Sequence, residues 1–140
     1  MTHRPDPDPD PGAATVTVEM IFPDQANHYG TLFGGNGLSL MAKAAFVAAS
    51  RRARGPVVLA SATRGSFSAP VRVGDLLELS ARVTRVGRAS LSVAVEGVAE
   101  EIATGQRRAV LSGAFEMVAV DAAGRPRPLA AEDFTKEETA

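Results

Sequence analysis

The residues best suited to chemistry lie in one loop, Asn27-His28-Tyr29-Gly30-Thr31-Leu32-Phe33-Gly34-Gly35, directly before a long apolar segment. The first N–H groups of a helix have no acceptor within the helix, and the helix dipole adds partial positive charge there. Glycine leaves such a backbone accessible. The pattern therefore predicts that Gly34 and Gly35 hold an oxyanion or a polarised carbonyl oxygen. A simple turn into the helix also accounts for a glycine pair.

The apolar segment predicts one long helix from about residue 36 to 54. Its apolar positions recur at helical spacing, and they include Leu38, Met41, Ala42, Ala45 and Ala49. A helix that is apolar on most of its circumference is expected to be buried on most of it. The side chains are mainly alanine, so other layers can approach closely. We therefore expect a central helix held by a curled sheet.

The rest of the pattern predicts five strands, because apolar and polar residues alternate in segments bounded by turn residues. They are expected at residues 15–21, 57–67, 76–86, 91–99 and 107–120. Short turns separate the last three strands, which should therefore be antiparallel neighbours. The sequence predicts an α+β domain in which a curved five-stranded antiparallel sheet wraps around one helix.

Composition excludes several classes of function. The chain has 140 residues, enough for one domain with a substantial core. Its net charge of −1 gives no reason to expect nucleic acid or an anionic membrane as a partner. It has no cysteine, which excludes disulfides and thiolate chemistry. No apolar run reaches the roughly 18 residues needed to span a membrane, so a cytoplasmic location is expected.

The two ends of the chain differ in composition from the middle. Residues 1–14 include a run of alternating proline and aspartate at residues 5–11, and they are predicted to form a disordered tail that is unlike a signal peptide. Residues 15–127 should form the folded domain. Residues 128–140 are expected to form a loose C-terminal tail.

Four segments together carry a family resemblance: residues 21–35, 43–45, 67–75 and 85–90. They resemble the hot-dog-fold acyl-CoA thioesterases, in the branch that contains bacterial broad-specificity acyl-CoA hydrolases and their eukaryotic cytosolic relatives. The resemblance covers about residues 15–127. It implies hydrolysis of the thioester between coenzyme A and a fatty acyl chain, with no metal and with no cofactor apart from the coenzyme A of the substrate.

The resemblance also implies roles for particular residues. Asn27 positions the thioester or the attacking water, and a backbone N–H near Gly35 polarises the carbonyl. In such enzymes a carboxylate seven residues after this glycine acts as general base or nucleophile, usually across a dimer interface from the asparagine. Here that position is Ala42, and residues 36–54 contain no Asp or Glu. The loss of a general base costs about 10²–10⁴ in rate.

Three explanations of Ala42 stay open: another group serves as the base, the protein binds acyl-CoA without catalysis, or the chain has been altered at Ala42. Asp24 is a candidate base, although capping of its loop is the role that this residue more often has. His28 is assigned to substrate binding and is another candidate base, as in hot-dog dehydratases, although a surface role fits it as well.

The resemblance further assigns residues to substrate binding. Thr63 and Arg64 fall where relatives line the channel for the acyl or pantetheine group. Arg85, Arg88 and Ser90 fall on a hairpin that lies near the nucleotide, where cations suit the phosphates. All five also fit the role of ordinary solvated strand residues. The family resemblance implies a homodimer with shared sites, or a tetramer or hexamer built from such dimers.

Overall fold

The computed structural model describes residues 13–129 of the chain. The elements are β1 (Thr15–Met20), a short 3-10 helix (Pro23–Gln25), α1 (Gly34–Ala53), β2 (Val57–Phe67), β3 (Leu76–Val86), β4 (Ser90–Glu100) and β5 (Arg107–Ala119). These bounds confirm the predicted helix and the five predicted strands. The predicted tails lie outside the described residues, apart from residues 13, 14, 128 and 129.

The five strands form one antiparallel sheet in the order β1-β3-β4-β5-β2. The predicted neighbours β3, β4 and β5 are adjacent, as expected from their short turns. β2 precedes β3 in the chain but pairs with β5 at the far edge, with Phe67 opposite Leu111. The helix packs on one face of this sheet, which confirms the α+β class and the hot-dog arrangement.

The core lies between α1 and the inner face of the sheet. Met41, Ala45 and Ala49 of the helix have no solvent exposure. They face the alternating buried residues of the three central strands, among them Leu77, Leu79, Val93, Val95, Phe115 and Met117. The short alanine side chains let the sheet approach the helix axis closely, as the sequence predicted.

The expectation that α1 is buried on most of its circumference is wrong for a single chain. Leu38 is 39% exposed and Phe46 is 45% exposed. The physical reason is that a five-stranded sheet curls around one side of the helix only. The other side carries a line of residues at helical spacing, which we call the open stripe: Gly35, Leu38, Ala42 and Phe46.

The folded domain extends beyond residue 127, where the sequence analysis placed its end. Leu129 is only 5% exposed and belongs to the core, and its N–H donates to the Arg88 carbonyl at 2.7 Å. Arg127 donates through Nη2 to the carbonyl of Ala53 at 3.1 Å. A cation in contact with the last carbonyl groups of a helix stabilises that end.

A partly buried ion pair joins the sheet to the loop between β2 and β3. Asp75 is 6% exposed, and its Oδ2 accepts hydrogen bonds from Arg108 Nη2 at 2.9 Å and from the Arg72 N–H at 3.0 Å. Arg108 Nη2 also donates to the Pro70 carbonyl at 2.8 Å. β5 thereby holds the loop at both ends, at Pro70 and at Asp75.

Replacing Asp75 by Asn should lower the free energy of unfolding by about 1–3 kcal/mol, the cost of removing one partner from a buried charged hydrogen bond. The loss is limited because Arg108 is one-third exposed and regains contact with water. Unfolding in urea measures this change in the free energy of unfolding. The matched control is Glu101→Gln, an exposed carboxylate, which should change stability by less than about 0.5 kcal/mol. Equal stabilities of the two variants would contradict this role for the pair.

Candidate functional site

The centre of the site is the N-terminal end of α1. Within residues 13–129, no backbone carbonyl accepts a hydrogen bond from the N–H of Gly34, Gly35 or Asn36. The first bond of the helix runs from the Gly37 N–H to the Phe33 carbonyl at 3.0 Å. Phe33 precedes the helix without capping it, and the first turn contains no acidic residue. These three donors thus suit an oxygen that carries negative charge, as predicted for Gly34 and Gly35.

The loop before the helix is held in place by Asn27. Its Oδ1 accepts from the Tyr29 N–H at 2.9 Å, and from the N–H and the hydroxyl of Thr31, each at 3.2 Å. Its backbone carbonyl accepts from Gly30, whose φ of 81° favours glycine. The Nδ2 donor of Asn27 makes no bond to another residue in the described part of the chain, so it is free for a ligand.

Asn36 has a role that sequence reasoning missed. Its Nδ2 donates to the Gln25 carbonyl at 2.9 Å, and the Phe33 N–H donates to the same oxygen at 3.0 Å. Gln25 ends the 3-10 helix, so these bonds tie the first turn of α1 to that segment. An asparagine at the start of a helix can be recognised from the sequence, but the sequence does not show that its hydrogen-bond partner lies eleven residues earlier.

Ala42 lies two turns after Gly35 on the open stripe and is half-buried. What distinguishes this position is that it lacks a carboxylate. No other position of α1 supplies one, because the charged residues of the helix are all cationic: Lys43, Arg51 and Arg52. Residues 13–129 also contain no group of three or more His, Asp or Glu side chains that would hold a metal ion. The geometry thus supplies polarisation at Gly34 and Gly35 without a base on the helix.

The two candidate replacement bases are both exposed. Asp24 lies on the 3-10 helix, next to the Gln25 that is bonded to Asn36. His28 stacks on Tyr29 with a ring-centroid distance of 3.9 Å. No carboxylate of the described chain is hydrogen-bonded to His28, so the histidine–carboxylate pair of a dehydratase is not formed there.

Thr63 and Arg64 lie on the free edge of the sheet. The register of β2 with β5 shifts between Thr63 and Ser66, and Arg64 has a φ of 55° in this irregular segment. Such a conformation is uncommon for a residue other than glycine and locally bends an edge strand. Both side chains are exposed, and the irregularity was not predicted from the sequence.

The hairpin residues Arg85, Arg88 and Ser90 are at the opposite end of the sheet from Gly34. Ser90 pairs with Val118, whereas the cavity beside Gly34 is formed at Leu111, seven residues earlier on β5. At about 3.3 Å per residue, this separates the two places by roughly 23 Å along the strand. A single chain therefore does not bring these three residues to the helix N-terminus.

A cavity of about 320 Å³ lies beside the first turn of α1. Its lining is formed by Leu32, Gly34, Phe67, Ser68, Ala69, Pro70, Val71 and Leu111. The Leu32 N–H donates to the Val71 carbonyl at 2.7 Å and the Val73 N–H to the Gly30 carbonyl at 3.1 Å. The glycine loop and the loop after β2 thus form one connected wall, which sequence reasoning did not identify as a cavity.

Comparisons of this sequence with known proteins all lead to thioesterases. Residues 29–106 match the model of the thioesterase superfamily. An uncharacterized acyl-CoA thioester hydrolase of Zymomonas mobilis is 40% identical over 74% of this chain and 70% of its own length. A second one, YkhA of Bacillus subtilis, is 33% identical over 89% of this chain and 73% of its own.

Solved structures agree. An acyl-CoA hydrolase from Agrobacterium tumefaciens superposes with a TM-score of 0.79 and 46% identity, over 88% of this chain and 47% of that one. This chain thus spans about half the length of the Agrobacterium chain. An apo-hexameric acyl-CoA thioesterase superposes with a TM-score of 0.81 and 34% identity, over 87% and 82% of the two chains.

A third solved structure is an acyl-CoA hydrolase from Staphylococcus aureus in complex with butyryl coenzyme A and coenzyme A, with a TM-score of 0.79 and 26% identity over 84% of this chain and 72% of that one. That enzyme has also been solved with an asparagine and an aspartate, fifteen positions apart, each replaced by alanine. The family match, the identities and the shared fold lead to one conclusion: the chain belongs to the thioesterase superfamily, among the hot-dog-fold acyl-CoA thioesterases.

Proposed function

We propose that this protein hydrolyses the thioester of acyl-coenzyme A, giving a fatty acid and coenzyme A, at the N-terminal end of α1. The observation that carries the proposal is the set of three backbone N–H groups at Gly34, Gly35 and Asn36, which have no acceptor in the described chain and lie beside a cavity. The names of the relatives support the same reaction.

The donors act on the carbonyl oxygen of the thioester. An oxygen held by Gly34 and Gly35 gains negative charge as water attacks the carbonyl carbon, and donors that are already in place stabilise that charge. The free Nδ2 of Asn27 is a further donor, for the thioester or for the water. The carbon–sulfur bond then breaks, and coenzyme A leaves as the thiol after it takes up the proton that the water has lost.

The attacking water needs a group that accepts its proton. The asparagine and the aspartate replaced in the Staphylococcus aureus enzyme are separated by the same fifteen positions as Asn27 and Ala42. This spacing supports the view that Ala42 occupies the position of a carboxylate. Asp24, next to the Gln25 that contacts the first turn, remains the proposed substitute, and the expected activity is correspondingly low.

A second candidate function is the binding of acyl-CoA without hydrolysis. The observation that favours it is Ala42, together with the absence of any acid in α1. Both candidates use the same donors and the same cavity. They differ only in whether a base acts on the bound thioester, so the release of free thiol by the unmodified protein separates them. No observation of this kind favours a dehydratase, because His28 is exposed and no carboxylate of the described chain is hydrogen-bonded to it.

The open stripe and β2 suggest how two chains associate. β2 is an edge strand, and Val58, Leu59 and Phe67 on it are about half exposed. A side-chain carbon at Gly65 would lie 3.8 Å from Leu38, so the strand and the open stripe adjoin at this point. A free strand edge and an apolar patch are both features of an association site. We propose that a second copy covers them, in a dimer or in a hexamer like that of the apo-hexameric acyl-CoA thioesterase.

Self-association through this surface predicts a mass above 14.5 kDa in light scattering at micromolar concentration. Phe46→Glu places a charge on the open stripe and should shift the population strongly toward the monomer. Ile102→Glu, at an equally exposed apolar residue in the turn after β4, is the matched control and should leave the mass unchanged. A monomeric mass for the unmodified protein would contradict the proposed assembly.

Replacing Ala42 by Asp should raise the turnover of an acyl-CoA by at least about tenfold, because it restores a positioned base. Substrate affinity should change little, since the base acts mainly in the transition state. Ala42 packs against the edge of the core but is only half-buried, so a carboxylate at this position keeps access to water. Release of free thiol from acyl-CoA measures the rate.

Two further variants test whether this gain depends on position. Ser39→Asp adds the same charge about one turn earlier on the exposed side of α1 and should give no comparable gain. Asn27→Ala in the Ala42→Asp background should abolish the gain. If Ala42→Asp folds, binds acyl-CoA and is no faster, the base lies elsewhere, and Asp24→Asn becomes the informative variant.

A further inference from the structure

Seven arginines lie together at one end of the molecule. The end of α1, the turn between β3 and β4 and the segment after β5 meet there. The Ala119 N–H donates to the Ala89 carbonyl at 2.8 Å, and the Val120 N–H donates to the Pro56 carbonyl at 3.1 Å. We define the basic end as residues 51–56, 85–90 and 119–129, which hold these seven arginines and one acidic residue.

Groups at the basic end do not balance this positive charge. The acidic residue is Asp121, whose Oδ1 accepts the N–H groups of Ala123 and Arg125 at 2.9 Å each, so it caps its own turn. The dipole of α1 adds only about half a negative charge at this end. Arg54 and Arg88 are exposed. The basic end therefore presents a positive potential to anions in solution.

The balancing negative charge lies outside residues 13–129. These residues hold thirteen of the fifteen Lys and Arg residues but only nine of the sixteen Asp and Glu residues. Their net charge is thus +4, whereas that of the whole chain is −1. Residues 130–140, which we call the acidic segment, contain one lysine and four carboxylates: Glu132, Asp133, Glu137 and Glu138.

The acidic segment begins at the basic end. Leu129, the residue before it, is buried in the core, and its N–H donates to the Arg88 carbonyl at 2.7 Å. Arg127 donates to the Ala53 carbonyl and holds the same stretch of chain against the end of α1. Groups that follow such an anchor within a few residues have a local concentration in the millimolar range or above. The carboxylates are thus tethered beside arginines of opposite charge.

We infer that the acidic segment docks on the basic end of its own chain, with its carboxylates as counter-ions for arginines of the α1 terminus and of the turn between β3 and β4. The complementary charge and the anchor at Leu129 carry this inference, which does not depend on the proposed function. A phosphate-bearing ligand that uses Arg85 or Arg88 must then displace the segment.

A second acidic stretch is the rival occupant. It carries Asp6, Asp8 and Asp10 and precedes β1, where Thr15 pairs with Ala81. Ala81 lies four residues before Arg85, or roughly 13 Å along the strand. The acidic segment is favoured because it begins directly beside Arg88 and carries more carboxylates.

Affinity for a heparin oligosaccharide, measured by calorimetry in 0.1 M salt, reports how accessible the basic end is. Glu132→Gln, Asp133→Asn and Glu137→Gln together should tighten binding at least about fivefold, since each exposed ion pair that a competitor must break weakens its binding by up to about fivefold. The charge-matched control is Asp6→Asn, Asp8→Asn and Asp10→Asn together. It should tighten binding less than about twofold, because charges more than about 10 Å away are screened.

Arginine variants locate the effect. Arg54→Gln with Arg88→Gln, in the neutralised variant, should remove most of the gain. Arg64→Gln with Arg72→Gln, at exposed arginines outside the basic end, should remove less of it. No gain, equal gains in the two neutralised variants, or a larger gain in the control would overturn the inference. A larger gain in the control would assign the basic end to the stretch before β1.

A spin label detects the docking directly, and the absence of cysteine allows a single label at Ala140→Cys. An undocked segment of eleven residues spans roughly 18 Å on average, independently of its carboxylates. Docking should broaden the amide signals of residues 85–90 at low salt, and about 0.5 M NaCl should reverse this by screening. The Gly105 signal, at the other end of β4, should not change. Broadening that is absent, or that neither salt nor the neutralised variant reduces, would overturn the inference.

Discussion

The constraint on which this structure depends is that one five-stranded sheet covers only one side of one helix. Met41, Ala45 and Ala49 are fully buried against the strands, whereas the open stripe of α1 remains in contact with water. β2 lies at the free edge beside this stripe, although the chain forms it directly after the helix. The same arrangement leaves the first turn of α1 accessible at Gly34. The surface proposed for association and the candidate site therefore both result from the incomplete cover of the helix.

The site is kept in shape by polar contacts that reach it from the sheet. Asp75 and Arg108 form a mostly buried pair, and Arg108 also holds the Pro70 carbonyl in the cavity wall. The next residue along that wall, Val71, accepts from Leu32 in the loop before the helix. A chain of hydrogen bonds thus runs from β5 through the wall to the glycine loop. Donors held in this way do not reorganise when charge develops on a bound carbonyl, which is the condition for effective electrostatic stabilisation.

The local parts of the fold could be predicted from the sequence because they depend on local patterns. Alternation of apolar residues and short turns specified the strands, and a run of alanines at helical spacing specified α1. The place of β2 beyond β5 was not predictable, since no periodicity encodes which non-adjacent strands pair. The same limit concealed that the hairpin at Arg88 lies at the far end of β5 from the cavity, seven residues or roughly 23 Å along the strand. Leu129 was missed because a single apolar residue at the start of a polar tail gives no periodic signal.

Ala42 shows why binding and catalysis are separable in this scaffold. The described chain offers bare N–H groups at the start of the helix, an Asn27 whose Nδ2 is free, and a cavity lined mainly by apolar side chains. In the proposed function each of these contacts the ester before any bond changes. A general base contributes almost entirely in the transition state, so its absence lowers the rate without a matching loss of affinity. In the function proposed for this chain, acyl-CoA is therefore bound at the start of α1 and turned over slowly.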